Sequence, residues 1–210
     1  MRFLSTLPQD DLAEVPPAAR AAEAAGYDGL VTSENKNDPF LALGVAAVST
    51  SRLALHTGIA IAFSRSPMPV ANASWDLQVA SRGRFVLGLG SQVRAHNENR
   101  FSVPWSAPAP AYWPVLDVHG LQELGRKLNV MSKAGPWDKM AAEISDDVVR
   151  RFAAVGTHRQ LAGAIAERFG GVTDSVTLSG GYGVRQAIPP DLVQDIRRIP
   201  SAFVGFDTRW

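Results

Sequence analysis

The chain has 210 residues, 46% hydrophobic and 20% charged, a composition that suits a globular protein with one core, or one core with an elaboration. Its 21 basic and 20 acidic side chains leave a net charge of +1 and give no electrostatic reason to expect nucleic acid or an anionic membrane as partner. The lack of cysteine excludes disulfides, thiolate metal sites and cysteine nucleophiles. No run is long enough to span a bilayer, and Met1-Arg2-Phe3-Leu4-Ser5 is too short for a signal peptide, so a cytoplasmic protein is expected.

The first half alternates strand and helix patterns. Phe3 to Thr6 reads as a strand, and Glu14 to Ala25 as a helix with Pro16 and Pro17 in its first turn and Gly26 at its end. Asp28 to Ser33 is a second strand, followed by a helix from Pro39 to Val48 with Phe40, Leu43 and Ala47 on its apolar side. Leu53 to Ile61 is a third strand, and Pro67 to Ala80 a third helix with Val70, Trp75 and Leu77 available for packing. The turn Arg82-Gly83 leads into a fourth apolar run, Phe85 to Leu89, which ends in a glycine loop. Such regular alternation predicts a parallel sheet with right-handed crossovers.

The pattern then breaks. Pro104, Pro108, Pro110 and Pro114 mark a loop or junction, and from Leu121 to Phe169 most signals are helical. Ser145 reads as an N-cap with Asp146 and Asp147 behind it, and Thr157 with Gln160 has capping-box spacing. Val115 to Val118 is a short strand candidate. A strand recurs clearly at Ser175 to Ser179, followed by Gly180-Gly181 and a last helix from Pro190 to Arg198. The chain is taken as one domain: residues 1–106 hold four βα units, 107–170 a mainly helical segment and 171–210 the last βα unit. A closed eight-stranded barrel typically needs about 250 residues, so the count favours a shortened or incomplete (β/α)8 barrel. An ordinary open parallel sheet with a helical subdomain fits the pattern as well.

In either architecture the carboxyl ends of parallel strands gather on one side, which is where α/β proteins bind ligands. That side collects Thr6, Ser33, Glu34, Thr57, Gly58, Ile59, Gly90, Ser91, Gln92, Ser179, Gly180 and Gly181. It is polar and glycine-rich, which suits a large planar ligand with a phosphate tail; alternatively the glycines only terminate strands. Glu34 and His96 are the candidate acid/base groups, each with a bland alternative as a surface residue. His56 lies inside a strand and reads as structural, while His119 and His158 fall in the helical part without an evident partner. No metal-ligand spacing occurs, and Gly88-Leu-Gly90 lacks the third glycine of a dinucleotide fingerprint.

Four segments then carry a resemblance: Gly26-Tyr-Asp-Gly-Leu-Val-Thr-Ser-Glu34, Asp38-Pro-Phe40, Thr57-Gly-Ile-Ala-Ile-Ala-Phe-Ser-Arg-Ser-Pro67 and Gly83-Arg-Phe-Val-Leu-Gly-Leu-Gly-Ser-Gln92. In order and content they resemble the luciferase-like monooxygenase superfamily, most of all a subgroup of deazaflavin (coenzyme F420)-dependent oxidoreductases. Resemblance runs to about Trp105 and resumes from about Ala111 to the last strand. It implies a TIM-barrel-derived fold, F420 or alternatively FMN as cofactor, hydride transfer on a small organic substrate, and a homodimer covering exposed edges. It places Glu34 beside the cofactor ring, Gly90, Ser91 and Gln92 in the loop after the fourth strand, and a non-prolyl cis peptide at Gly58-Ile59. Relatives often carry histidine where Asn37 stands. Set against the family's pattern, the fourth helix, the fifth and sixth strands and their helices are missing between Ser106 and Ala111, so the alternative is a non-catalytic flavin or deazaflavin binder, or a structural remnant of the family with an incomplete active site.

Overall fold

The computed structural model describes residues 1–104, 113–135, 137–178 and 188–201. The first three βα units form where the local signals put them. Strands β1 (Arg2–Thr6), β2 (Gly29–Ser33) and β3 (Ala54–Ile61) alternate with helices α1 (Val15–Ala24), α2 (Pro39–Ser49) and α3 (Pro67–Ser81). Each helix has proline in its first turn, where a missing N–H costs nothing. Asp38 caps α2: its Oδ1 accepts the N–H groups of Phe40 at 2.8 Å and Leu41 at 3.2 Å. Helix α3 stops on Arg82, which takes a left-handed backbone (φ 56°) before Gly83 (φ 84°).

The fourth strand is not continuous. It is split into β4 (Phe85–Val86) and β5 (Leu89–Gly90), and at the break the Thr57 hydroxyl, in place of a backbone carbonyl, takes the Gly88 N–H. Thr57 Oγ1 accepts the Gly88 N–H at 2.8 Å and lies 3.0 Å from the Gly88 carbonyl, to which it can donate. Such an approach needs glycine at 88, since a Cβ there would stand 2.0 Å from the Thr57 carbonyl oxygen.

With β6 (Ser175–Thr177), the strands are ordered β4-β3-β2-β1-β6, β5 pairs with β3, and every pairing is parallel. The sheet is the expected parallel α/β sheet, and β4 and β6 end its order, so it is not closed among the described residues. One face carries the row Leu30, Leu55 and Phe85, buried beneath Val15, Ala19, Phe40, Leu43 and Leu77 of the helices. Phe40 meets Phe85 at 6.4 Å between ring centres. The other face carries the row Thr6, Val31, His56 and Val86. On that face burial pushes the His56 imidazole pKa down; nearby Arg2 acts the same way and Asp174 opposes them.

Arg84 holds the opposite end of the sheet. Its guanidinium donates to the carbonyls of Ala47, Thr50, Leu53 and Ser81 and to the Thr50 hydroxyl, at 2.7 to 3.1 Å, closing the carboxyl end of α2. Helix α10 (Pro190–Arg197) packs against β1 and against α9 (His158–Phe169), and it buries Leu192, Val193 and Ile196. The capping box of Thr157 and Gln160 is present at the start of α9. His158, without an evident partner in sequence, stands 3.6 Å from Asp191.

The chain divides into two compact units, Met1–Val103 with Gly156–Trp210, and Pro104–Val155. The second is helical: α5 (Trp113–Val118), α6 (Gln122–Ala134), α7 (Trp137–Met140) and α8 (Asp146–Phe152). Ser145 caps α8 as expected. His119 lies edge-on to Phe152 at 4.9 Å. Gly125 is the buried position of this unit among the described residues, so it has little core of its own. The strand candidate Val115 to Val118 is instead the end of α5, a run too short for its β-branched residues to dictate a strand. Trp75 is not a packing residue either, being 72% exposed on the outer side of α3.

Candidate functional site

Glu34, immediately after β2, is 3% exposed, and a carboxylate so placed must be compensated. Its backbone N–H donates to the Ile59 carbonyl at 2.9 Å. Its Oε2 accepts the Ile61 N–H at 2.7 Å and Arg65 Nη1 at 2.5 Å. The other guanidinium nitrogen of Arg65 reaches Asp38 Oδ2 at 2.9 Å, and the group lies 5.5 Å over the Phe40 ring. Burial lowers the Arg65 pKa, but the hydrogen bonds and charges of Glu34 and Asp38 outweigh it and hold the group above its ordinary value. One cation thus joins the end of β2, the end of β3 and the start of α2.

Between Thr57 and Ile59 the strand carries one extra residue. Thr32 pairs with Thr57, but Ser33 pairs with Ile59, so Gly58 is bulged out. A Cβ at 58 would stand 2.7 Å from Val31 Cγ2. The expected cis peptide between Gly58 and Ile59 is not there. Every peptide bond among the described residues is trans, and the bulge itself accommodates the extra residue. Ile59 is exposed on this ledge, and Gly90 lies flat against it: a Cβ at 90 would come 2.8 Å from Ile59 Cγ2.

The loop after β5 turns at Gln92, whose φ of 56° is left-handed, and enters α4 (Arg94–Phe101). Asn97 is wholly buried there; its Nδ2 donates to the Ser91 carbonyl at 2.9 Å and the Val93 carbonyl at 3.1 Å. Its Oδ1, and His96 Nδ1 beside it in sequence, are buried without a hydrogen-bond partner. Arg100 donates to the Lys36 carbonyl at 2.6 Å, tying α4 to the loop after β2. On the other side of that loop Gln9 Oε1 accepts the Ser33 N–H at 3.1 Å, the Gln9 carbonyl accepts the Asn37 amide, and Gln9 Nε2 is buried and unpartnered.

The structure therefore brings Glu34, Gly58, Ile59 and Gly90 together and places Ser91, Gln92 and His96 on the adjoining loop and helix. Thr6 ends β1 two strands away, exposed opposite Val31. Ser179, Gly180 and Gly181 lie outside the described residues. Sequence reasoning missed Gln9, Asp38, Arg65 and Asn97 as parts of this site. Asn97 had a signal, since asparagine inside a helix is unfavourable unless its side chain is used; Arg65 had none that one sequence shows. No group of His, Asp or Glu able to hold a metal occurs among the described residues, and no helix there is long and apolar enough to cross a membrane.

A family model described as luciferase-like monooxygenase matches residues 3–112, just over half of the chain. The chain belongs to the luciferase-like monooxygenase family. The matched stretch contains β1 to β5, α1 to α4 and the whole Glu34–Gly90 ledge; the second half, where the resemblance was expected to resume, lies outside it. An uncharacterized protein of Mycobacterium tuberculosis (strain ATCC 25618 / H37Rv) is 56% identical over 100 residues, 48% of this chain and 29% of that protein. The 5,10-methylenetetrahydromethanopterin reductase of Methanolobus tindarius is 28% identical over 104 residues, 49% of this chain and 32% of that one. Among solved structures, the coenzyme F420-dependent tetrahydromethanopterin reductase from Methanopyrus kandleri aligns with a TM-score of 0.45 and 22% identity, over 59% of this chain and 38% of that one. The chain thus matches 29 to 32% of the length of these curated relatives.

Proposed function

We propose that this chain binds a deazaflavin of the F420 type, with FMN as the alternative, and serves an oxidoreductase reaction on a small organic substrate. The observation that carries the reading is the ledge at the carboxyl ends of β3 and β5, where the Gly58 bulge and Gly90 leave an exposed apolar seat on Ile59. A reductase among the relatives of this half of the chain points the same way. The polar groups present fit a planar heterocycle with hydrogen-bonding edges. Gln9 Nε2, His96 Nδ1 and Asn97 Oδ1 are buried without a protein partner, and a buried hydrogen bond left unmade costs about 1–3 kcal/mol, which a ligand or an ordered water would recover.

In this reading Ile59 supports the ring, the backbone of Gly90, Ser91 and Gln92 borders it, and His96 is the residue placed to hold or move a proton. A bound deazaflavin supplies hydride from its ring C5, and the protein supplies orientation and exclusion of water. A second reading, a binder without turnover, is favoured by the open sheet, whose end strands β4 and β6 lack an outer neighbour among the described residues.

The test is titration of the purified chain with F420 and with FMN, followed by cofactor fluorescence and thermal melting. Binding at micromolar concentration, with stabilisation of about 2.7 kcal/mol at a hundredfold excess over Kd, is expected for one of them. Ser91→Trp should remove it while leaving the unliganded melting temperature in place. A protein that binds neither would sink the reading. Binding without hydride loss from the reduced cofactor to any acceptor would select the second.

A further inference from the structure

We infer that Glu34 and Arg65 are positioning residues: together they form a clasp that fixes the Gly58 bulge against Gly90 and so sets the seat on which the ring lies. The inference rests on the cofactor reading for its ligand, and on contacts within the protein for the clasp itself. Glu34 grips β3 at two points. Its own N–H holds the Ile59 carbonyl at 2.9 Å, and its Oε2 holds the Ile61 N–H at 2.7 Å. The segment between these points cannot slide along β2 without breaking one of them.

What is gripped is the same stretch on which the glycine strand registers. Ala60 N–H donates to the Gly88 carbonyl at 2.8 Å, and Ala62 N–H to the Gly90 carbonyl at 2.9 Å. Ile59 stands so close to Gly90 that a Cβ there would have to displace it. Arg65 closes the clasp from behind: it neutralises the buried carboxylate at 2.5 Å and is itself held by Asp38, the cap of α2. An Oε2 that already accepts from Ile61 and Arg65 is committed to geometry rather than to proton transfer. Glu34 was a candidate acid/base group from sequence; its contacts assign it a different task.

The experiment uses the full chain as wild type, Glu34→Gln, Arg65→Met and Arg65→Lys. Amide hydrogen exchange is read by NMR without ligand, and F420 and FMN are then titrated into each protein. In Arg65→Met, exchange at Ala60, Ile61 and Ala62 should speed by about tenfold or more, while Leu55, whose N–H is bonded to the Arg84 carbonyl at the other end of β3, keeps its wild-type rate. Arg65→Lys should recover most of the protection. Cofactor affinity should fall by about tenfold or more in Arg65→Met, with a shifted absorbance spectrum of the bound ring. Glu34→Gln should keep the pH profile of wild-type binding.

Faster exchange at Ile61 alone, or equally across the sheet, overturns the clasp. Faster exchange at all three amides with wild-type affinity and spectrum overturns its link to the seat. A changed pH profile in Glu34→Gln returns that residue to an acid/base role and overturns the assignment. If the wild-type protein binds neither cofactor, the cofactor reading and the seat fall together, and the exchange rates decide the clasp alone.

Discussion

Gly88→Ala is the substitution whose effect the structure fixes most tightly. The new Cβ would lie 2.0 Å from the Thr57 carbonyl oxygen and 3.0 Å from that of Gly58, both backbone atoms of the neighbouring strand. Neither can rotate away, so the two chains must part by about an ångström or more. Three hydrogen bonds cross that gap: Gly88 N–H to Thr57 Oγ1, Thr57 Oγ1 to the Gly88 carbonyl, and Ala60 N–H to the same carbonyl. At about 1 kcal/mol each, their loss with a further 1–3 kcal/mol of overpacking strain gives a destabilisation of about 4–6 kcal/mol. Urea unfolding followed by far-UV circular dichroism reads this directly. With an m value of about 2 kcal/mol/M, the midpoint should fall by about 2–3 M. A Gly88→Ala protein within about 1 kcal/mol of wild type would show that the glycine is not required by strand contact, and the account of the split strand would be wrong.

Thr57→Val keeps the shape of the side chain but leaves the Gly88 N–H without its acceptor, so urea unfolding should register a loss of about 1–3 kcal/mol. Gly163→Ala is the opposite case. A Cβ within α9 meets nothing within 4 Å, and replacing a helical glycine should raise stability by about 0.5–1 kcal/mol in the same assay. Arg84→Met removes the donors that close α2 and strips partners from the carbonyls of Ala47, Thr50, Leu53 and Ser81; a loss of about 2–4 kcal/mol is expected by thermal melting. His56 makes stability depend on pH. Its folded-state pKa is lowered by burial, so below about pH 6.5 the unfolded chain takes up a proton that the folded chain refuses. Stability should therefore fall as pH drops from about 6.5 towards the lowered value, and His56→Gln should flatten that slope in melts run from neutral to mildly acidic pH.

The first three βα units are legible because their signals are local. Prolines open helices, Asp38 caps one, and apolar runs between turns mark β1, β2 and β3. The glycine strand is legible as an important place, and the structure adds a requirement within the protein itself: Gly88 and Gly90 lie where β3 comes close. Helix α4 escapes because Arg94–Phe101 is almost wholly polar and is held by one buried asparagine instead of an apolar stripe. Trp75 misleads because an aromatic residue at helical spacing normally packs, and here it faces outward. The Glu34–Arg65 pair is a contact between distant parts of the chain, and a single sequence carries no mark of which cation a buried carboxylate will find.

The extra residue at Gly58 also gives β3 two reading frames. Before it the odd-numbered side chains, Leu55 and Thr57, turn towards the helices; after it Ala60 does, and Ile59 is turned outward. Deleting residue 58 would leave each frame as it is, because the residue removed is the unpaired one: Ile59 would follow Thr57 directly, still opposite Ser33 and still turned outward. What the deletion would remove is the bend of the strand between Thr57 and Ile59, and with it the ledge that meets Gly90. The extra residue is a device of shape and not of pairing, and the bend at this spot is what any workable descendant of this chain must preserve.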